Sequence, residues 1–125
     1  IDANETLIDV GNKIYDDINL ICDDWFQADG FENKDWCINI RSNNLRYDQQ
    51  VDVDDFDYVT QTIDKMFEKC NRGVVISLSS DKFKIDNQIT YNAGDIASWA
   101  FSKYDLVAVD HSTDTNQFLV IIYKN

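Results

Sequence analysis

Apolar residues recur along this chain with the two spacings that distinguish helices from strands. Five of them near the start follow one another at intervals of seven, four, three and four residues: Leu7, Ile14, Ile18, Ile21 and Trp25. This spacing puts them on one face of a helix, which we predict from Asp2 to Trp25. Asp2 followed by Glu5 is typical of a helix start.

The middle of the chain alternates and then returns to a helical period. Residues 36–41 and 45–53 alternate between apolar and polar, and the turn-forming Ser42-Asn43-Asn44 lies between them, so we predict a hairpin. A second helix is predicted from Asp54 to Cys70. Asp54 or Asp55 would cap it, and Asn71-Arg72-Gly73 would end it.

The last third reads mainly as strands. Val74–Ser79 is predicted to be a buried strand, and Lys82–Tyr91 one strand or a tight hairpin about Asp86-Asn87. Asn92 to Asp95 can start a short helix whose apolar side carries Ile96, Trp99 and Ala100. Two further strands are expected, with the polar loop His111 to Asn116 between them: Leu106–Val109 and Phe118–Tyr123.

The order of these elements predicts the fold class. Consecutive hairpins favour an antiparallel sheet with helices on one face. We therefore expect a single α+β domain over residues 1–125, with an antiparallel sheet of about five to six strands in hairpins, two longer helices and one short helix.

Charge is distributed very unevenly over this pattern. The chain carries a net charge of -12, yet residues 1–64 hold 16 acidic against 4 basic residues and residues 65–125 hold 7 against 7. Aspartates at positions 2, 9, 16 and 23 recur every seven residues, so a continuous helix would place them on one face. The stretch 48–59 holds five aspartates, two aromatics and no basic residue. Phosphate would be repelled by such a surface, which disfavours direct nucleic-acid binding.

Few residues suggest chemistry. Three widely spaced cysteines fit neither a disulfide framework nor a zinc site, and they favour a reducing cytoplasm. His111 lies beside Asp110 and near Ser112, but adjacency in sequence does not assemble a catalytic triad. Counted from Asp52, the sixth and twelfth positions of a calcium-binding EF-hand loop hold aspartate and isoleucine instead of glycine and glutamate. No apolar run reaches the ~18 residues of a membrane span. We expect no catalytic residue, cofactor or metal.

The acidic half, interleaved with aromatic residues, suggests a surface for a basic protein. Carboxylates bind Arg and Lys through charge-assisted hydrogen bonds, and aromatic rings add contact area. We expect a cytoplasmic immunity or antitoxin-type inhibitor that covers the nucleic-acid-binding or active site of a basic nuclease toxin. The candidate partner-binding residues are Asp16, Asp23, Tyr47, Asp48, Asp52, Asp54, Asp55, Asp57 and Tyr58.

Other interpretations of the same residues remain open. The carboxylates from Asp52 to Asp57 could serve a small enzyme or a divalent-cation-binding module. The chain could also be a structural subunit whose acidity keeps it soluble. Helix capping alone would account for Asp54, Asp55 and Asp57, but it leaves Asp48 and Asp52 unexplained.

Overall fold

The computed structural model of the protein describes residues 1, 4–23, 33–41 and 53–125. The chain divides into two compact units, Ile1–Glu32 and Asn33–Asn125. The described residues form a mixed α+β arrangement of three helices and one four-stranded sheet. None of these helices is long and apolar enough to cross a membrane.

In the first unit, helix α1 spans Glu5–Ile14 and is much shorter than predicted. Its cap is Asn4 instead of Asp2: the Asn4 side-chain oxygen accepts the backbone N–H of Leu7 at 3.2 Å. The helix ends before Asp16, where two consecutive aspartates would face the negative end of the helix dipole. The prediction of a helix to Trp25 is therefore wrong, and the seven-residue aspartate repeat does not follow one helical face.

The second unit contains the sheet and two helices. In chain order its elements are β1 (Lys34–Ile40), α2 (Asp55–Lys69), β2 (Cys70–Ser79), α3 (Ala93–Lys103), β3 (Leu106–Asp110) and β4 (Gln117–Tyr123). The strand order is β1-β2-β4-β3, with β1 parallel to β2 and β4 antiparallel to both of its neighbours. The two connections that contain a helix, β1-α2-β2 and β2-α3-β3, cross the sheet in the same direction. Right-handed crossovers of this kind place their helices on the same face.

Among the described residues, the predicted antiparallel sheet of five to six strands is instead a mixed sheet of four. The described part of the first predicted hairpin pairs with β2, in parallel, because α2 returns the chain to the same end of the sheet. Its second predicted strand lies almost wholly outside the described residues. The region Lys82–Tyr91 forms turns instead of a strand, and only Tyr91 makes an isolated bridge, to Ser80. The hairpin of β3 and β4 is confirmed.

Both predicted helices of this unit are confirmed. Helix α2 buries Val59, Ile63 and Met66, and α3 buries Ile96 and Ala100. The predicted end of α2 at residues 71–73 is wrong, since the chain passes from Lys69 directly into β2. Gly73 therefore lies inside a strand and does not terminate a helix.

The side chains of the sheet separate into two faces of unlike burial. One, the core face, carries residues that are at most 1% exposed: Val74, Ile76, Leu78, Phe118, Val120 and Ile122. Helix α2 contacts β1 and β2, and α3 contacts β3. The strand register gives the other face as three rows across β1, β2, β4 and β3, which we call the open face: Ile40, Ser77, Leu119 and Asp110; Ile38, Val75, Ile121 and Ala108; Trp36, Gly73, Tyr123 and Leu106.

Candidate functional site

Three of the predicted partner-binding aspartates meet on the first turn of α2, and we call Asp54, Asp55 and Asp57 the acidic turn. Asp54 is the N-cap, and its Oδ1 accepts the backbone N–H of Asp57 at 2.7 Å. All three residues are exposed. Carboxylates at this end of a helix are stabilised by the positive end of its dipole. The acidic turn therefore holds a local cluster of negative charge at a fixed place in the fold.

The opposite end of α2 is basic. The Lys124 ammonium group donates to the backbone carbonyls of Phe67, at 2.6 Å, and Cys70, at 2.8 Å, and it lies 4.7 Å from the centre of the Phe67 ring. Lys69 occupies the last turn of the helix. A lysine bound to the last carbonyls of a helix satisfies acceptors that have no partner inside the helix. The acids of the first turn and the lysines at the last turn each complement the helix dipole, while Glu68 in the last turn does not.

The other predicted contact residues are less closely grouped. Tyr58 follows the acidic turn, but it is only 9% exposed and belongs to the core, so it offers little surface to a partner. Asp16 and Asp23 are exposed and lie beyond the end of α1 in the first unit. Three predicted residues fall outside the described part of the chain: Tyr47, Asp48 and Asp52.

The residues around His111 do not form a proton relay. The Asp110 carboxylate accepts both the backbone N–H of Ser112, at 2.8 Å, and the Ser112 hydroxyl, at 2.5 Å. These two hydrogen bonds lower the pKa of Asp110. The His111 ring instead lies 5.8 Å from the Phe118 ring, with Nε2 3.4 Å from the Thr115 carbonyl. A depression of about 310 Å³ beside it is lined by Lys82, Phe83 and residues 111–115.

Neither Cys37 nor Cys70 has the surroundings of a reactive thiol. Cys70 is 2% exposed and its thiol donates to the Phe67 carbonyl, with 3.5 Å between the two heavy atoms. Burial, and then the nearby Cys70, raise the pKa of Cys37, while Lys124 lowers it less. A reactive cysteine has the opposite shift. Within the described ranges, no three His, Cys, Asp or Glu side chains come together as a metal site.

The open face is a feature that we did not predict from the sequence. Four of its side chains are unusually accessible for large apolar groups: Ile38 at 65%, Ile40 at 54%, Leu106 at 46% and Tyr123 at 44%. A signal for it exists in β4: Phe118–Tyr123 is apolar at every position, so its side chains are apolar on both faces of the sheet. Such a strand indicates that both faces of the sheet are to be covered.

One corner of the open face is polar and internally satisfied. Ser77 is 3% exposed and is hydrogen-bonded to the side-chain amide of Gln117 at 2.9 Å. The Gln117 oxygen accepts from Arg41 Nε at 2.7 Å and from Nη2 at 3.0 Å. Arg41 follows β1 directly, with a φ of 62°. This network fixes a guanidinium group at the end of the edge strand.

Comparison with protein-family models, with curated proteins and with solved structures found no match to this chain.

Proposed function

We propose that this protein is an acidic protein-binding inhibitor of the immunity or antitoxin type, which neutralises a basic nuclease by covering its nucleic-acid-binding or active site. The observation that carries the proposal is the acidic turn. It places three exposed carboxylates on one helical turn of a chain with a net charge of -12. Arg and Lys side chains that bind phosphate in a nuclease would bind such carboxylates equally well.

The fixed position of the acidic turn favours recognition over mere solubility. Because the Asp54 carboxylate is bound to the Asp57 N–H, it is held in one orientation instead of sampling many rotamers. A preorganised group loses less conformational entropy when a partner binds. A carboxylate held in this way is suited to an ionic contact of defined geometry with a partner.

The rest of the charge would act at longer range. The unit Ile1–Glu32 contains 9 of the 23 acidic residues and one of the 11 basic residues, Lys13. Complementary fields increase association rates to about 10⁸–10⁹ M⁻¹ s⁻¹ at low ionic strength. Fast association is what neutralisation of a toxin requires.

The experiment is affinity capture followed by charge reversal. The purified protein is used as bait in lysate of its native host at low and then high salt, and retained proteins are identified by mass spectrometry. We expect one basic protein that is retained at low salt and released at high salt. Its nuclease activity is then titrated with the purified chain, and a stoichiometric loss of activity is the expected result.

A pair of double variants makes this test specific for the acidic turn. Asp55→Lys with Asp57→Lys should weaken inhibition at least about 10-fold, because buried or aligned charge pairs are worth a few kcal/mol in such complexes. Asp86→Lys with Asp95→Lys is the matched control: it changes the net charge equally and also removes an acid from a helical first turn, that of α3. Equal weakening by both doubles would show that total charge alone is responsible. No effect of the first double would refute the proposed contact.

A further inference from the structure

We propose that the open face is the interface of a symmetric homodimer, in which the sheets of two copies pack face to face. Of its twelve residues, nine have apolar side chains, and Gly73 adds no side chain. Asp110, at one corner, is the one charged member. A sheet face of this composition behaves like half of a β-sandwich core.

The area of the open face is compatible with a dimer. Four strands about 4.8 Å apart, with three residues at alternate positions on each, give a footprint of roughly 400 Å². Apolar patches of this size on a monomer are commonly functional. Two such footprints bury roughly 800 Å² in total, less than the ~1,200 Å² at which standard interfaces begin, so we expect a weak dimer with a dissociation constant on the order of 10 µM.

The packing of one end row of the open face is already fixed in one copy. The rings of Trp36 and Tyr123 meet edge to face, with centroids 5.8 Å apart and planes at 84°. Aromatic side chains locked in this way provide contact area without further loss of rotamer freedom on association. Ile38, beside them in the middle row, is the most accessible apolar residue of the face.

The charges at the sheet margins favour a second copy as the occupant. The edge strand β1 is followed by Arg41, and the opposite edge strand β3 ends at Asp110; at the other ends of these strands, Lys34 of β1 is offset by its neighbour Asp35. These two strands run in the same direction. A two-fold axis parallel to the strands places β1 of one copy over β3 of the other. Arg41 of each copy then faces Asp110 of the other, and this pairing occurs twice in the dimer.

The net charge of the chain does not prevent this association. The second unit, which contains the open face, holds 14 acidic and 10 basic residues, a net charge of -4. Surface charges are largely screened beyond about 8 Å at physiological ionic strength. Helices α2 and α3 lie against the core face, so self-association leaves the acidic turn of α2 outside the interface. The dimer and the proposed inhibition therefore use different surfaces.

Sedimentation velocity of the purified protein in 0.15 M salt tests the proposal, over concentrations from about 1 to 200 µM that bracket a micromolar constant. We expect a shift from a 14.5 kDa species to one of twice that mass as concentration rises. A monomer throughout this range would overturn the proposal. Binding of a different protein to the open face, without any self-association, would also overturn the proposal.

A first pair of variants locates the interface. Ile38→Asp should raise the dissociation constant at least about 100-fold, because it buries an unpaired carboxylate twice. Ile38 is exposed in one copy, so the variant should keep its circular dichroism and melting temperature. Phe101→Asp is the matched control, since Phe101 is 60% exposed on α3. Persistence of the dimer in Ile38→Asp, or its loss in Phe101→Asp, would place the interface elsewhere.

A charge exchange tests the two-fold geometry itself. Arg41→Asp and Asp110→Lys should each weaken the homodimer, because each creates two like-charged contacts. An equimolar mixture of the two variants should recover association, since both contacts in the mixed dimer again pair opposite charges. Failure of the mixture to associate more tightly than either variant alone would refute the arrangement of β1 over β3.

Discussion

The Trp36 ring occupies the space that a side chain at Gly73 would need. A Cβ placed at Gly73 would lie 2.6 Å from Trp36 Cζ3 and 2.5 Å from the backbone oxygen of Ile122. The two residues are direct partners across the parallel strands β1 and β2. Gly73 therefore lets the indole lie close against the sheet.

Gly73→Ala should destabilise the protein by about 1–3 kcal/mol, the usual cost of overpacking a tight site. The urea midpoint should fall, and tryptophan fluorescence should change as Trp36 is displaced. Gly94→Ala in α3 is the control, because its Cβ would meet only the Asn92 side chain, at 3.1 Å. If both variants were equally stable, the close approach of Trp36 would not constrain position 73.

Replacing the cap of α2 should separate its structural role from its charge. Asp54→Ala removes the acceptor for the Asp57 N–H and should cost about 1 kcal/mol of unfolding free energy. Asp54→Asn keeps a capping oxygen but loses the charge, so it should be nearly as stable as the native chain. Chemical denaturation of both variants is the measurement. Equal destabilisation by the two would show that charge, rather than capping, stabilises this turn.

Two threonines of α2 should respond in opposite ways to valine. The Thr62 hydroxyl is fully buried and has no hydrogen-bond partner among the described residues, whereas the Thr60 hydroxyl donates to the Asp57 carbonyl at 3.0 Å. Thr62→Val should therefore raise the unfolding free energy by about 1 kcal/mol, and Thr60→Val should lower it by a similar amount. Thermal unfolding of the two variants measures both changes in stability. A Thr62→Val variant less stable than the native chain would contradict it.

Tyr104 should resist ionisation in alkaline solution. Burial raises its pKa well above the usual range, and a hydrogen bond to the Asp64 carboxylate raises it further. Because the folded pKa exceeds the unfolded one, this contribution to stability is fully present below about pH 10 and is lost as the pH rises through the folded pKa. In an absorbance titration into the alkaline range, one tyrosine should form its phenolate at a higher pH than an ordinary tyrosine does.

Two variants assign that late titration. Tyr104→Phe should remove it. Asp64→Asn should shift it toward ordinary tyrosines, although the same change also removes the ion pair of Asp64 with Lys103, at 2.5 Å. A late-titrating tyrosine that survives in Tyr104→Phe would belong to another residue.

The three cysteines should react with a thiol reagent in order of exposure. Cys22 is exposed, Cys37 is half-buried with a raised pKa, and Cys70 is 2% exposed. Thiolate is the reacting form, so we expect Cys22 to be modified first and Cys70 only after unfolding. Mass spectrometry of a time course identifies the order. Early modification of Cys70 would indicate that α2 opens readily from the sheet.

Local patterns predicted the helices and strands of the second unit, apart from an extra strand at Lys82–Tyr91, and they predicted the β3–β4 hairpin but not the parallel pairing of β1 with β2. Helical spacing predicted α2 and α3, and short apolar runs predicted β3 and β4, because each of these signals is contained within one element. The pairing of β1 with β2 depends on contacts such as Ile38 with Val75, between residues far apart in the chain. Parallel pairing has no signal comparable to a tight turn.

The errors in α1 and around Gly73 have the same origin. An apolar stripe beginning at Leu7 does continue past Ile14, yet Asp16 and Asp17 oppose the helix there. Gly73 is the type of residue that often ends a helix. Only the position of Trp36 shows that a glycine is needed here to leave room for the indole ring. For the candidate site, charge asymmetry indicated the acidic turn, while the burial of Tyr58 depends on the packing of α2 and could not be predicted from charge.

The central position of β4 sets the order in which the sheet can be completed during synthesis. β4 is the last of the four strands along the chain, yet it lies between β2 and β3, and β3 pairs with no other strand in the described residues. A ribosome therefore exposes β1, α2, β2, α3 and β3 before the strand that joins them exists. Until then β2 lacks one neighbour and β3 lacks any. A nascent chain paused before Gln117 would present unpaired apolar strands, the kind of segment that chaperones bind and that aggregates when it is not protected.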